Sequence, residues 1–283
     1  MPYIKNKNEI DKIIEKYEND QSKHYKYAID FHYNTRYHPS KNHDDFSHIG
    51  FIKTKPSIVL SNLKHFKEYP HKPSIQLPDI VDIINGSEKS FEEIVLKRRS
   101  ERDYNEKPIS FQSLAKILIF SYGITGKLDF GYKIPQYLRA SPSGGALYPL
   151  EIYPVVFNVE SLENGIYHYN VLKNNIELLK KGNYRKEILD IFIDQKMIEK
   201  SNVLFVITGV LKRSLYKYRN RGLRFIYFDA GHLAENMYLS AVSNGLGSCA
   251  LGGFYDEKLD KLLDIDGKKE VSIYSVVVGN IDQ

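Results

Sequence analysis

The chain has 283 residues, of which 42% are hydrophobic and 27% are charged, and this composition excludes an intrinsically disordered chain. The formal net charge of +5 is modest, and no interleaved aromatic and basic pattern indicates nucleic-acid binding. The single cysteine, Cys249, excludes an internal disulfide and a multi-cysteine metal site. Its apolar neighbours favour a small buried side chain over a nucleophile. Such sparse cysteine usage also fits a reducing, cytoplasmic compartment.

The sequence carries no signal for export or membrane insertion. Residues 1–20 lack the apolar core of a signal peptide. The longest strongly apolar run, Val203–Val210, is far too short to span a bilayer. We therefore expect a cytoplasmic protein without a membrane partner.

The N-terminal third predicts an arm that packs on a main domain. Apolar residues from Ile10 to Tyr17 recur at helical spacing and predict a first helix. Residues 21–90 are rich in His, Lys and Pro and show only short periodic segments, which is typical of loops. We expect a helix and loop-rich arm over residues 1–90 and a main domain over residues 91–283.

Regular structure is predicted from Ser90 onward. Ser90 and Glu93 form a capping-box pattern that predicts a helix to about Arg99. A second helix begins near Ser110 and ends at Gly123, which is expected at the C′ position. The later predicted elements are a buried strand over Glu151–Phe157, a hairpin of Gly165–Tyr169 and Ile176–Leu179, a helix over Tyr184–Lys200, a strand over Val203–Val210, a helix over Leu223–Ser243 stopped by Gly245, a helix from Asp256 and a strand over Val271–Val278.

No Gly-x-Gly-x-x-Gly pattern follows the first of these strands, so a Rossmann dinucleotide site is disfavoured. The strands and helices alternate without a regular βαβ rhythm. The sequence therefore predicts a mixed α+β fold.

The first segment with chemical potential is Lys97–Arg102, where four cations and a hydroxyl lie at a predicted helix end. Guanidinium groups bind phosphate oxygens through paired hydrogen bonds, and a serine hydroxyl adds another. The alternative is a solvated basic helix terminus, since cations are favoured there in any case.

The second segment is the glycine-rich stretch Arg139–Pro149, which leads into a buried strand. Its small residues Pro142, Ser143, Gly144 and Gly145 would let the backbone approach a flat ring without obstruction. The alternative is an ordinary turn.

The third segment, Lys217–Arg224, precedes and opens the long helix. Lys217 and Tyr218 are candidates for proton transfer if burial or a neighbouring cation lowers their pKa values. The alternative is a basic, solvated loop. His232, further along the helix, has no second histidine four residues later, so a metal site is not predicted.

The fourth segment is Leu251–Phe254, in which Gly252 and Gly253 follow a short strand. Two adjacent glycines suggest close approach of the backbone to a ligand. A simple turn explains them equally well.

Taken in order, these four segments resemble the nitroreductase superfamily, and in particular its SagB-type azoline dehydrogenase branch. The similarity covers about residues 91–280. The first segment looks like the family's Arg-Arg-Ser-x-Arg element, Ser141–Pro149 looks like the branch's flavin-ring loop, and Lys217–Tyr218 match its catalytic pair. The N-terminal arm resembles the branch only through Phe31–Arg36.

The resemblance implies a nitroreductase-like FMN-binding fold with a mixed sheet flanked by helices and an N-terminal arm. It also implies a homodimer with FMN at the subunit interface. Many nitroreductases carry a basic residue after the last strand, whereas this sequence closes there without a cation. The FMN-binding residues implied are Arg98, Arg99, Ser100, Arg102, Pro142, Ser143, Gly144, Gly145, Leu251, Gly252 and Gly253. Because the C-terminal cation is missing, we add Arg221 and Arg224 as hypothetical phosphate ligands.

The resembled branch oxidises thiazolines or oxazolines in a modified precursor peptide to thiazoles or oxazoles. A base takes the Cα proton, N5 of FMN accepts a hydride, and dioxygen then reoxidises the flavin. A cyclodehydratase or another biosynthetic protein is the implied partner. Two alternatives stay open: a reductase of dehydroamino acids, quinones or nitro compounds, and a non-catalytic scaffold in a peptide-modifying complex.

Overall fold

The computed structural model describes residues 26–35, 48, 50–52, 66–84, 89–129, 135–193 and 195–282. The chain divides into two compact units, Met1–His48 and Ile49–Gln283. In the first unit, helix α1 spans Lys26–Asn34. The helix predicted around residues 10–17 lies outside the described residues.

The second unit holds the other named elements. Its helices are α2 (Ile80–Ile84), α3 (Phe91–Lys97), α4 (Phe111–Tyr122), α5 (Arg185–Ile191), α6 (Leu211–Tyr218), α7 (Gly222–Ser243) and α8 (Asp256–Leu262), and its strands are β1 (Ser74–Gln76), β2 (Ile124–Leu128), β3 (Gln136–Arg139), β4 (Leu150–Val156), β5 (Gly165–Asn170), β6 (Asn175–Lys181), β7 (Val203–Val210), β8 (Leu246–Leu251) and β9 (Glu270–Asn280). Within the described ranges, no helix combines the length and apolar character needed to cross a membrane.

Seven strands form the main sheet in the order β1-β6-β5-β4-β7-β9-β8, and β2 pairs with β3 in a separate hairpin. All six pairings described in the main sheet are antiparallel. The predicted α+β class is confirmed, but the sheet is antiparallel rather than mixed. Helices cover both faces, because each strand near the centre alternates its side chains between two hydrophobic cores.

The strand β4 illustrates this alternation. Ile152 and Val156 face a core shared with α4 and α7. Tyr153 and Val155 face a second core shared with α5 and α8. The two cores make β4 and its neighbour β7 buried along almost their whole length, as the apolar runs of both strands predicted.

The division between the units at residues 48 and 49 differs from the boundary predicted at residue 90. Residues 66–84 lie in the second unit, where β1 pairs with β6 at the edge of the main sheet. Leu77 and Ile83 from this stretch are buried in the first core. Two core side chains and a three-residue strand are too short a pattern to stand out in a sequence rich in Pro and Lys.

The predicted helix ends at Ser90, Gly123 and Gly245 are all present, but Gly123 ends its helix in a different conformation from the one predicted. The Ser90 hydroxyl accepts from the Glu93 amide at 3.2 Å, and the Ser90 amide donates to Glu93 Oε2 at 3.1 Å, which completes the capping box. Gly123 ends α4, but its φ of −62° is not left-handed. A Cβ at Gly123 would lie 2.6 Å from the carbonyl oxygen of Ile119, so glycine is needed there for space. Gly245, with φ +72°, stops α7 in the left-handed conformation.

The helix predicted over Tyr184–Lys200 is instead two short pieces. After α5, Phe192 leaves the helix and forms a β-bridge with Phe254, with their rings 5.4 Å apart. A 3-10 helix, Lys196–Lys200, follows. The amphipathic spacing continues through both pieces, so the sequence predicted one continuous helix. The contact of Phe192 with Phe254 interrupts it.

Candidate active site

The glycine-rich loop lies along one face of the long helix α7. The Ser143 hydroxyl donates to Asp229 Oδ2 at 2.6 Å, and the Gly144 amide donates to Asp229 Oδ1 at 3.3 Å. Further along the same face, Asn236 Nδ2 donates to the Ser141 hydroxyl at 3.0 Å. Burial raises the pKa of Asp229, and its bonds from the loop only partly oppose that effect. Asp229 and Asn236 therefore fix the loop on the helix.

The backbone of this loop is strained. Gly145, Ala146 and Tyr148 have φ values of 68°, 52° and 46°, a region that bulky residues rarely adopt. Tyr148 is held there because its amide donates to the Ser143 hydroxyl at 2.9 Å and its own hydroxyl accepts from the Arg139 amide at 3.1 Å. Backbone strain that the surroundings hold in place is common at functional sites.

The side chains of Lys217 and Tyr218 meet at Gly145. Both residues lie in the last turn of α6. A Cβ at Gly145 would collide with the Tyr218 hydroxyl and lie 2.6 Å from Lys217 Nζ, so only glycine leaves room for both groups. The Tyr218 ring packs edge-on against Phe225, with centroids 4.6 Å apart. Burial lowers the pKa of Lys217. Arg219, with φ 48° and ψ −139°, follows the pair and adds another strained residue.

The sheet explains why these parts meet. Strands β4 and β7 pair antiparallel, with Leu150 opposite Gly209. The glycine-rich loop enters β4 at the same end of the sheet where α6 leaves β7. Two segments far apart in the sequence are thereby adjacent in the fold.

Ser100 and its neighbours lie beside β8. Ser100 forms a parallel β-bridge with Ser248, and its hydroxyl lies 3.1 Å from the Tyr238 hydroxyl, which accepts from the Ala250 amide at 2.6 Å. The Arg98 guanidinium lies over the Tyr238 ring at 5.3 Å from the centroid. The predicted phosphate-binding segment is thus anchored on α7 through Tyr238.

The cations of this segment do not all point the same way. Arg102 donates to the Ser100 carbonyl at 3.1 Å, so its guanidinium stays close to Ser100. Arg99 instead donates to the carbonyls of Leu96 and Arg98 at 3.1 and 2.7 Å, and it caps the end of α3. Arg98, Ser100 and Arg102 therefore remain the candidate phosphate ligands of this segment, whereas Arg99 is engaged by the backbone at the helix end.

The two sets of residues lie on opposite faces of α7. Asp229, which holds the glycine-rich loop, and Tyr238, which holds Ser100, are separated by nine positions. At about 100° of rotation per residue, that separation places them roughly 180° apart around the helix. Within one chain, the structure joins the loop with Lys217 and Tyr218, and it joins Ser100 with β8 on the other side.

The remaining predicted residues lie near these two sets or at the ends of elements. Leu251 ends β8 with its side chain buried in the second core. Gly252 is exposed, and an added Cβ there would make only an ordinary contact with Tyr274 Cε2 at 3.8 Å. The Gly253 carbonyl accepts from the Ile193 amide at 3.1 Å. Arg221 and Arg224 are partly exposed at the N-terminal end of α7.

A buried ionic cluster that sequence reasoning missed lies at the same end of β4. His168 lies between two carboxylates, with Nε2 2.9 Å from Glu151 and Nδ1 2.9 Å from Glu177. Burial favours the neutral imidazole, but the hydrogen bonds to both glutamates outweigh it and raise the pKa of His168. Burial likewise opposes the charge of Glu151, yet Arg213 and His168 lower its pKa to about 2.

Lys67 belongs to a second buried group. Its Nζ lies 2.5 Å from Glu270 Oε2 and 2.6 Å from the Tyr153 hydroxyl. The Glu270 carboxylate also accepts from Tyr153 and Thr208 at 2.7 Å. Polar residues inside otherwise apolar strands, such as Glu151 and Thr208, were the available signal for both groups.

Comparison with known proteins identifies the family. The family model described as the nitroreductase family matches residues 95–280. MJ1384 of Methanocaldococcus jannaschii, which is named as a nitroreductase, is 34% identical over 205 residues that make up 72% of this chain and 95% of that protein. The chain therefore belongs to the nitroreductase family, whose members are oxidoreductases that typically bind FMN.

More distant relatives include the Microcin B17-processing protein McbC of Escherichia coli, which is 24% identical over 84% of this chain and 85% of McbC. Among solved structures, a protein of Anabaena variabilis described as a nitroreductase has a TM-score of 0.67 at 26% identity over 89% of this chain. The chain spans 45% of that structure's length. The McbBCD complex with truncated pro-MccB17 has a TM-score of 0.55 at 22% identity over 81% of this chain and 84% of the matched one, and supports the fold alone.

Proposed function

We propose that this chain is an FMN-dependent oxidoreductase that oxidises thiazolines or oxazolines in a modified precursor peptide to thiazoles or oxazoles. The observation that carries the proposal is the meeting of Lys217 Nζ and the Tyr218 hydroxyl at Gly145. A partly buried lysine with a lowered pKa beside a phenol is suited to proton transfer. The similarity to McbC, which is named as a Microcin B17-processing protein, supports a peptide substrate.

The residues present fit a flat, anionic cofactor. Arg98, Ser100 and Arg102 supply two cations and a hydroxyl for a phosphate. Pro142 to Gly145 offer a backbone surface without large side chains, and an added Cβ at Gly144 would already lie 3.2 Å from Phe225. The backbone between Leu251 and Gly253 is exposed at Gly252 and carries no side chain there. Arg99, Arg221 and Arg224 stay as further proposed ligands.

The opposite-face arrangement around α7 supports a homodimer. A cofactor held by the Arg98 side of one copy would meet the Lys217 side of a second copy, because one helix separates the two sides within a chain. Exposed apolar residues on both elements, Phe91 at 67% and Leu96 at 73% on α3 and Phe228 at 55% on α7, offer area for such contact.

In the proposed reaction, the azoline ring loses two hydrogens. When bound, FMN supplies the acceptor for the electron pair and one hydrogen. Burial increases the neutral fraction of Lys217, so its amine can take the Cα proton with the Tyr218 hydroxyl beside it at Gly145. The opposite assignment of base and partner is equally compatible. The strained loop holds Gly145 against both groups.

A reductase that uses NAD(P)H on quinones, nitro compounds or dehydroamino acids is the second candidate. The 34% identity with MJ1384, which is named as a nitroreductase, favours it. The cofactor and the two residue sets would be the same, and only the direction of electron flow would differ.

The first experiment is the visible absorption spectrum of the purified protein, followed by release and identification of the cofactor. We expect bound FMN in equimolar amount. A synthetic thiazoline-containing peptide should then be oxidised under air with loss of two mass units per ring, a value fixed by the two hydrogens removed. Bleaching of the flavin by NAD(P)H without peptide oxidation would support the reductase. A colourless protein that takes up no added FMN would overturn both candidates and favour the scaffold.

A further inference from the structure

Arg213 connects helix α6 to the strand that follows the glycine-rich loop. It lies four residues before Lys217, one turn back on the same side of the helix. Its Nη1 lies 2.5 Å from Glu151 Oε1 and donates to the Tyr148 carbonyl at 3.2 Å. Tyr148 and Glu151 flank the point where the loop becomes β4. One guanidinium therefore holds α6 against both ends of that junction.

The acidic end of this connection is fixed in the sheet. Glu151 is buried in β4 and is hydrogen-bonded through its other oxygen to His168. His168 is held in turn by Glu177, which accepts from Asn170 at 2.8 Å and from the Tyr69 amide at 3.1 Å. Because several elements hold the carboxylate, α6 must follow the sheet rather than the reverse.

We infer that Arg213 is a positioning residue. Its contacts with Glu151 and Tyr148 fix the position of α6 relative to the glycine-rich loop, so that Lys217 and Tyr218 meet Gly145. The importance of that meeting for turnover rests on the proposed function. The placement itself can be measured without cofactor or substrate.

A direct effect of charge has to be separated from positioning. A direct charge effect would have the same sign as released placement, since removing a cation one helical turn away from Lys217 would by itself raise the lysine's pKa. Removing Arg213 and the Glu151 charge together leaves the net charge unchanged, so direct effects largely cancel. Only released helix placement, which lets water reach Lys217, raises its pKa in the double variant. Replacing both partners of a buried pair is also better tolerated than replacing one.

The experiment uses trace acylation of lysines with acetic anhydride across a range of pH, with mass spectrometry of the peptide that carries Lys217. The proteins are the wild type, Arg213→Met, the double variant Arg213→Met/Glu151→Gln, and Arg185→Met as control. Arg185 is also a partly buried arginine that binds backbone carbonyls, those of Ile198 and Ser201, far from this site. Circular dichroism first sets a temperature at which every variant is folded.

We expect the pKa of Lys217 to rise in both Arg213 variants and to stay unchanged in Arg185→Met. Acylation at a fixed neutral pH falls about tenfold for each unit of that rise. A rise in the single variant alone would identify a direct charge effect and overturn the inference, as would no rise in either, or an equal rise in the control. If Arg213→Met does not fold but the double variant does, the pKa of Lys217 in the double variant alone decides: a rise supports the inference and no rise overturns it. A wild type without FMN would overturn the proposed function but leave this result standing.

Discussion

Two partly buried lysines in this protein have opposite electrostatic surroundings. Lys67 is buried enough to favour the neutral amine, but Glu270 outweighs that effect and raises its pKa. Lys217 experiences burial alone, and its pKa is lowered. Among the described residues, no carboxylate forms an ion pair with Lys217.

The difference distinguishes a lysine that holds the fold from one that is available for chemistry. A paired ammonium stays charged across the neutral range and contributes to stability. An amine whose pKa is lowered by burial costs folding energy when charged and gives up its proton more readily than an ordinary lysine. Surroundings, rather than residue type, separate the two roles.

The largest expected effect is on catalysis. Replacing Lys217 with Ala removes a proposed proton-transfer group, so turnover of a thiazoline peptide should fall about 10²–10⁴-fold. FMN absorbance should be retained, because Lys217 is not among the proposed phosphate ligands. The matched control is Lys212→Ala on the exposed side of the same helix, which should keep full turnover. Full activity of Lys217→Ala would remove Lys217 from the mechanism.

The second effect tests the buried ionic cluster through pH. The pKa of Glu151 falls from 4.5 to about 2 on folding. A depressed folded-state value gives stability that is complete above pH 4.5 and is lost as pH falls towards 2, in total about 3 kcal/mol. Urea unfolding at each pH should therefore show that the free energy of unfolding falls less steeply at acid pH for Glu151→Gln than for wild type. Parallel curves for the two proteins would contradict this assignment.

The third prediction compares the two lysines directly. Lys67→Met should lower the free energy of unfolding by about 1–3 kcal/mol, because it takes a charged partner from Glu270. Lys217→Met should leave stability unchanged or raise it slightly, since it removes an unpaired buried amine. Urea denaturation of both variants at neutral pH measures the difference. Equal losses would erase the distinction between the two lysines.

The smallest effect concerns Gly145. Alanine there must adopt a φ of 68° and displace the ends of two flexible side chains, so we expect a loss of about 1 kcal/mol together with reduced turnover. Gly231 in α7 has open space around an added Cβ, and Gly231→Ala should gain up to about 1 kcal/mol from helix propensity. Thermal unfolding of the two variants measures the expected loss of stability in Gly145→Ala and the expected gain in Gly231→Ala. A neutral Gly145→Ala would show that the loop relaxes easily.

Local patterns predicted much of the fold. The capping box at Ser90, the start of α4 at Ser110, the hairpin of β5 and β6, and the long α7 all depend on signals within one or two turns of chain. The predicted small buried Cys249 is also confirmed. The proposed ligands were found through motifs in a family-like order, and their roles stay predictions.

Long-range contacts could not be read from the sequence. Nothing local to His168 indicates that Glu151 and Glu177 approach it from neighbouring strands. Arg213 lies outside the four segments singled out in the sequence, and the pairing of β4 with β7 is what brings it to Glu151. Asp229 was overlooked because a single acid in a long helix is ordinary until the loop residues that bind it are known.

The opposite-face attachment on α7 also limits which changes in chain length this protein can accept. One residue inserted or deleted between Asp229 and Tyr238 would rotate one end of the helix by about 100° relative to the other. The segment anchored at Tyr238 and the loop anchored at Asp229 would then lose their alignment, although every side chain remained. Substitutions in this stretch can be absorbed one at a time, whereas a single insertion or deletion would disrupt both halves at once. Among homologues, the nine-residue interval should therefore vary in sequence but stay constant in length.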